Sequence, residues 1–166
     1  MRQERLARGP RPRDPTAFVV VGCIAGAVAA AELIGRRGPL VWPGGLVWPV
    51  IAGLAAVAGG LALRAWAVVS LGRFFQCRIQ IQPGHRIVER GPYRYVRHPS
   101  YTGLALILLG IGLASGDVLS LVAVAVLGAI GLRVRIHAEE RQLASALGPE
   151  YARFAAGRRR LVPGLW

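Results

Sequence analysis

Two short segments of this chain concentrate residues whose types and spacing could do chemistry. The first, residues 91–103, reads GPYRYVRHPSYTG and lies directly before an apolar stretch. The second, residues 135–141, reads RIHAEER and places Arg135 and Glu139 one helical turn apart on the same face. Charged side chains beside rigid prolines and aromatic rings predict a shaped binding pocket. Taken alone, the second segment favours a solvated ion pair at a helix end.

The rest of the chain predicts an all-α integral membrane protein of about four transmembrane helices. Hydrophobic residues make up 54% of the 166, yet the formal net charge is +13. Hydrophobicity and charge are separated along the chain, because charge-poor runs alternate with arginine-rich connectors. The predicted spans are residues 17–34, 46–71, 100–115 and 118–136.

The connections between these spans are predicted as follows. Gly116 and Asp117 form a tight outer turn, where Asp117 is expected to meet water. The fourth helix continues to about Leu147, where Gly148 and Pro149 stop it. A short amphipathic helix, 150–156, follows. Residues 1–15 are predicted to be a disordered basic cytoplasmic tail, and residues 16–166 a single membrane domain with a cytoplasmic cofactor-binding connector.

The basic residues predict the orientation. All 21 are arginine, and eighteen fall on one side of the membrane if both termini are cytoplasmic. Because they border apolar spans, they favour contact with membrane lipids over nucleic-acid binding, and Arg158, Arg159 and Arg160 are expected to touch headgroups. Arg64 lies inside the second span, where snorkelling to the interface is favoured over a buried functional role. The arginine- and alanine-rich composition is typical of a bacterial protein, so the inner (plasma) membrane is expected.

Together the two segments resemble the isoprenylcysteine carboxyl methyltransferase family and its phospholipid methyltransferase relatives. The resemblance lies in GPYRYVRHPSYTG at residues 91–103, RIHAEE at residues 135–140 and GPEY at residues 148–151. It covers roughly Leu71 to the C-terminus. The RHPxYxG element joined to a distal RxxxEE is fairly specific, whereas either alone is weak. The resemblance implies a multi-span membrane enzyme that uses S-adenosylmethionine.

The resemblance also implies roles for individual residues. Arg135 matches the position that faces the methyl acceptor. The chain has Ile87 where the family usually has leucine, and its loop between Gln80 and His85 is short. The residues that would bind the cofactor are Gln80, His85, Arg86, Ile87, Val88, Tyr93, His98, Pro99, Ser100, Tyr101 and Glu139.

Methyl transfer suits these residue types. Glu139 could pair with the ammonium of S-adenosylmethionine. A carboxylate acceptor is ionised at neutral pH, because its pKa is about 3.5, and it needs only a cation such as Arg135 to position it. An amine acceptor would need a base such as Glu140 or His98. The residues slightly favour carboxyl O-methylation of a lipophilic or lipid-linked acceptor, with Arg135 and Glu140 as catalytic candidates.

Other functions remain open at this point. They are a phospholipid, small-amine or thiol methyltransferase, a non-enzymatic membrane subunit, and an NADPH-dependent membrane reductase to which Arg94 and Arg97 would supply cations. Cys23 and Cys77 indicate neither a disulfide framework nor a metal site. The sequence leaves the acceptor and the oligomeric state open.

Overall fold

The computed structural model describes residues 15–35, 40–72 and 87–163. The predicted tail lies outside them except for Pro15, which begins the first helix. The described residues form these helices in chain order: α1 (Pro15–Gly35), α2 (Val47–Leu71), a short 3-10 helix (Gly91–Arg94), α3 (Pro99–Ala114), α4 (Val118–Leu147) and α5 (Pro149–Ala156).

The lengths of these helices can be compared with the thickness of a bilayer. α1, α2 and α4 are long and apolar enough to cross a membrane. α3 has 16 residues, or about 24 Å at ~1.5 Å per residue, against about 30 Å of hydrocarbon. Large apolar side chains such as Leu54, Leu61 and Val126 are exposed on the helix surfaces, as lipid-facing residues are. The predicted all-α membrane fold is confirmed.

Glycines bring α2 and α3 into close antiparallel contact. A Cβ atom on Gly60 would lie 2.6 Å from the carbonyl oxygen of Gly103, and one on Gly53 would lie 2.6 Å from that of Gly110. No side chain can be accommodated at either crossing. Helix association in lipid depends on van der Waals packing, so small residues at the contact let the two backbones approach.

The turn between α3 and α4 is held by Asp117, which is only 1% exposed. Its Oδ1 accepts hydrogen bonds from the backbone N–H groups of Leu119 and Ser120, at 2.8 and 3.3 Å, and so caps α4. Its Oδ2 accepts from the N–H of Leu40 at 2.9 Å. The expectation that Asp117 meets water is therefore wrong, because the carboxylate is satisfied by three backbone donors.

α1 packs along α4, and the core forms between these helices and α3. A buried cluster fills this space with Ala27, Ala31, Leu108 and Val124. The antiparallel helices bring the start of α1, the start of α3 and residues 135–140 of α4 to one end of the bundle, which we call the site end. The opposite end, at Gly116 and Asp117, is the turn end.

Candidate active site

The side chains at the start of α3 are placed by a proline. Pro99 occupies the first helical position, where it loses no hydrogen bond. The carbonyl of His98 accepts hydrogen bonds from the N–H groups of Tyr101 and Thr102, at 3.0 and 3.1 Å. This local geometry fixes the rings of His98 and Tyr101, whose centroids lie 5.7 Å apart.

The hydroxyl of Tyr101 joins the two predicted segments. It donates to Oε2 of Glu139 at 2.7 Å and accepts from Nε of Arg135 at 3.1 Å. Arg135 also donates to the hydroxyl of Thr16 on α1 at 3.0 Å, and its side chain is 5% exposed. The prediction that the two segments meet in space is confirmed. Arg135 is buried, so it does not belong to a solvated ion pair at a helix end.

Glu140 lies at the centre of a cationic network. Its Oε1 is 2.8 Å from Nη1 of Arg97 and 3.3 Å from Nε2 of His98. Its Oε2 is 2.9 Å from Nη2 of Arg160 and accepts from Nε of the same residue at 3.0 Å. Both oxygens are therefore occupied. This arrangement favours a positioning role for Glu140 over the predicted catalytic one.

The network sets the protonation of Glu140. Burial by itself would raise the pKa of this carboxyl. Hydrogen bonds with His98 and Arg160, together with the charges of Arg97 and His98, outweigh it and lower the pKa from 4.5 to about 2. A carboxylate with so low a pKa accepts protons poorly, so Glu140 is a weak general base.

The C-terminal segment docks beneath the start of α3. The N–H groups of Arg97 and His98 donate to the carbonyls of Arg159 and Arg160, at 2.8 and 2.9 Å. Arg158 pairs with Glu89 at 2.7 Å. The expectation that residues 158–160 touch headgroups is wrong for Arg158 and Arg160, whose side chains bind carboxylates of the protein. The side chain of Arg159 is exposed.

The remaining predicted site residues are placed as follows. Tyr93 is buried in the 3-10 helix, and Pro99 is buried in the first turn of α3. Ser100 is half-buried, and its carbonyl accepts a hydrogen bond from Arg64. Ile87 and Val88 are half-buried in the irregular segment before Gly91, with no described hydrogen bond to the cluster. Gln80, His85 and Arg86 lie outside the described residues.

Burial raises the pKa of the Tyr93 phenol above its usual range, the charge of Glu139 adds to this increase, and the charge of Arg64 opposes it. Tyr93 therefore remains protonated at neutral pH. The phenol can donate or accept a hydrogen bond without carrying charge.

Sequence reasoning missed three participants in the cluster. Thr16 precedes the first apolar run. The sequence predicts Arg97 as a possible cation for NADPH and Arg160 as a headgroup contact, and does not predict that either pairs with Glu140. Each is joined to the site by contacts across long sequence separations. No local signal in the sequence indicates these contacts.

The chain is similar to known proteins over the segments that form this site. The family profile described as "Isoprenylcysteine carboxyl methyltransferase (ICMT) family" matches residues 52–145. The chain is 35% identical over 92 residues to the uncharacterized protein YpbQ of Bacillus subtilis (strain 168), an alignment that covers 55% of each chain.

Two similar eukaryotic proteins carry the name protein-S-isoprenylcysteine O-methyltransferase. The B form of Arabidopsis thaliana is 32% identical over 105 residues, covering 62% of this chain and 53% of the relative. The Schizosaccharomyces pombe protein is 32% identical over 97 residues, covering 57% and 41% respectively. The chain spans about half the length of the curated relatives it matches.

Proposed function

The chain belongs to the isoprenylcysteine carboxyl methyltransferase family, and on this premise we propose that it transfers a methyl group from S-adenosylmethionine to the carboxylate of a lipophilic acceptor of isoprenylcysteine type. The observation that carries the proposal is the hydroxyl of Tyr101 on α3, which binds both Arg135 and Glu139 of α4. An acidic group and a buried guanidinium are thereby held on either side of one phenol.

The side chains present suit the charges of S-adenosylmethionine. The side chain of Glu139 is 27% exposed, so its carboxylate can receive a ligand ammonium. The rings of Tyr93 and Tyr101 offer faces that attract a cation such as a sulfonium. When bound, S-adenosylmethionine supplies an electrophilic methyl group to a nucleophilic oxygen.

The residues of the chain then act by positioning and by charge. Arg135 binds the acceptor carboxylate with donors that its contacts to Tyr101 and Thr16 hold in orientation. A carboxylate with a pKa of about 3.5 is already ionised, so no base is required. Glu140 keeps the start of α3 joined to the C-terminal segment, and Pro99 begins the helical turn that carries Tyr101. Alignment of the two reactants is the main contribution to rate in such a site.

The contacts disfavour two of the alternatives. An amine acceptor requires a base, and the low pKa of Glu140 makes this one of the two candidate bases, Glu140 and His98, a poor one. An NADPH reductase requires cations for the additional phosphate. Arg97 is paired with Glu140, and Arg94 lies over the ring of Tyr95 at 5.7 Å. Both arginines are therefore in contact with neighbouring side chains of the protein.

The position of the site in the bundle favours access from lipid. Tyr101 lies 13 residues before the end of α3 at Ala114, or about 20 Å at ~1.5 Å per residue, which is less than the roughly 30 Å thickness of the hydrocarbon. An acceptor with an isoprenoid or acyl chain can therefore reach Arg135 laterally while its tail stays in the bilayer. The arginine bias supports a cytoplasmic site end, with both termini on that side, in a bacterial inner membrane.

The proposal is tested by methyl transfer in reconstituted vesicles. The protein is incubated with methyl-labelled S-adenosylmethionine and an N-acylated S-farnesylcysteine, with the matching carboxamide as control. We expect label in the carboxylate compound as a base-labile ester and none in the carboxamide. Equal labelling of both compounds, or labelling of added phospholipid or amine instead, would contradict carboxyl methylation.

A further inference from the structure

Arg64 is a charged residue inside an otherwise apolar helix. It is half-buried, and its Nη1 donates to the carbonyl oxygen of Ser100 at 3.3 Å. Its backbone N and Cβ lie within about 3 Å of the position that a Cβ on Gly103 would occupy. The side chain therefore extends toward the start of α3, where Ser100 precedes Gly103 by one turn. Snorkelling toward lipid headgroups does not describe this contact.

The surroundings of Arg64 are those of an anion site. A carbonyl oxygen is its one hydrogen-bond partner among the described residues, and a guanidinium has five donors. In residues 15–35, 40–72 and 87–163, no carboxylate forms an ion pair with it. A charge placed inside a membrane segment is costly, and such charges are generally paired. The guanidinium can therefore receive an anionic ligand.

The residues near Arg64 indicate which anion this guanidinium could bind. The charges of Arg64 and Glu139 both act on the phenol of Tyr93, with opposite effects on its pKa. Arg64 of α2 and Glu139 of α4 also contact adjacent residues of α3, Ser100 and Tyr101 respectively. Arg135, which is buried, reaches the cluster through Tyr101 and Thr16. The two guanidinium groups thus contact different residues at the start of α3.

We propose that Arg64 binds the α-carboxylate of S-adenosylmethionine, opposite Glu139, which binds the α-ammonium of the same amino-acid group. This inference rests on the proposed function. A zwitterion is recognised best when each of its charges meets an opposite charge, and the carboxylate–guanidinium pair can be bidentate. Arg135 is then left for the acceptor, so one arginine serves each carboxylate.

The test compares two ligands that differ only in this carboxylate. Calorimetry of the purified full-length protein measures Kd for S-adenosylmethionine and for its decarboxylated form. For the wild type we expect S-adenosylmethionine to bind roughly 10- to 100-fold more tightly. In Arg64→Gln that preference should disappear, through weaker binding of S-adenosylmethionine and an unchanged Kd for the decarboxylated ligand. Retained binding of the decarboxylated ligand also shows that the variant is folded.

Two further variants complete the experiment. Arg64→Lys keeps the charge without the planar fork and should give an intermediate preference. Arg94→Gln removes an exposed arginine of the 3-10 helix and should leave the preference at the wild-type value. If Arg64→Gln keeps the wild-type preference, or loses affinity for both ligands equally, the inference is wrong while the proposed function stands. The inference is equally wrong if the substitution changes only KM for the acceptor. If the wild type binds neither ligand, both the inference and the proposed function are wrong.

Discussion

At the level of single residues, the site depends on hydroxyl and carboxylate groups, each of which contacts several partners. Tyr101 contacts Arg135 and Glu139 through one oxygen atom, and Glu140 contacts two arginines and the ring of His98. Adjacent glutamates in the sequence therefore have different surroundings. Glu139 is partly exposed and has capacity for a ligand, whereas Glu140 is occupied by the protein itself.

Replacing Arg135 should abolish methyl transfer more than it weakens cofactor binding. We expect Arg135→Ala to lower kcat/KM by at least roughly 100-fold, because an acceptor carboxylate loses a charge-assisted contact. Affinity for S-adenosylmethionine, measured by calorimetry, should stay close to the wild-type value. Arg133→Ala, on the exposed face of the same helix, is the control and should retain activity. Unchanged turnover in Arg135→Ala would remove this residue from the mechanism.

The lowered pKa of Glu140 predicts a dependence of stability on pH. Its pKa is about 2 in the folded protein, whereas 4.5 is the ordinary value that applies to the unfolded chain. Between these two pH values the folded state therefore binds fewer protons than the unfolded state. The stabilisation is complete above about pH 4.5 and is lost as the pH falls toward 2. In thermal unfolding in detergent, the difference in midpoint between wild type and Glu140→Gln should therefore shrink from pH 6 to pH 3. A difference that stays constant over this range would contradict the network.

At the level of secondary-structure elements, the site depends on helix α3. It packs against α2 through glycines and against α4 through the short turn at Asp117, while its first turn carries His98 and Tyr101. Since α3 lies between its neighbours, a displacement of this helix moves the predicted segments apart. The close α2–α3 contact therefore controls the geometry of the site as well as stability.

A pair of adjacent glycines on α2 provides a matched test of this contact. A Cβ at Gly60 would lie 2.6 Å from the Gly103 carbonyl oxygen, whereas a Cβ at Gly59 would meet nothing within 4 Å. We expect Gly60→Ala to lower the thermal unfolding midpoint in detergent by several degrees and to reduce activity. Gly59→Ala should be neutral or slightly stabilising, because alanine is favoured over glycine in helices by about 0.5–1 kcal/mol. Equal effects of the two substitutions would contradict this packing.

At the scale of the whole molecule, the two ends of the helix bundle carry different kinds of residues. The site end carries the charged network and the start of α1, whereas the turn end carries the capped turn at Asp117. The 30-residue α4 is about 45 Å long at ~1.5 Å per residue. It is therefore longer than the roughly 30 Å of hydrocarbon, and Glu140, near its C-terminal end, contacts Arg160 of the C-terminal segment.

The proposed orientation predicts opposite accessibility of the two ends. In a background with Cys23→Ala and Cys77→Ala, single cysteines are introduced at exposed Leu40 and exposed Arg153. A membrane-impermeant maleimide should label Arg153→Cys in inside-out vesicles and Leu40→Cys in right-side-out vesicles. Labelling of both positions from the same side would contradict the four-span arrangement, and the reverse pattern would invert the orientation.

Several features could be predicted because they depend on local sequence. The apolar runs predict helices α1 to α4 within about two residues at most ends, since backbone groups in lipid must bond within their own helix. Gly148 and Pro149 end α4 where expected. The RHPxYxG and RxxxEE segments, taken together, also predict which residues meet, because a hairpin with a tight turn returns its two ends to one level.

Other features were decided by tertiary structure alone. The distinct surroundings of Glu139 and Glu140, the burial of Asp117 and the inward direction of Arg64 each depend on partners distant along the chain. A charged side chain in a membrane protein takes the nearest partner that lowers its desolvation cost. The sequence states which charges are present, and only the packing of the helices decides which of them are paired within the protein and which can receive a ligand.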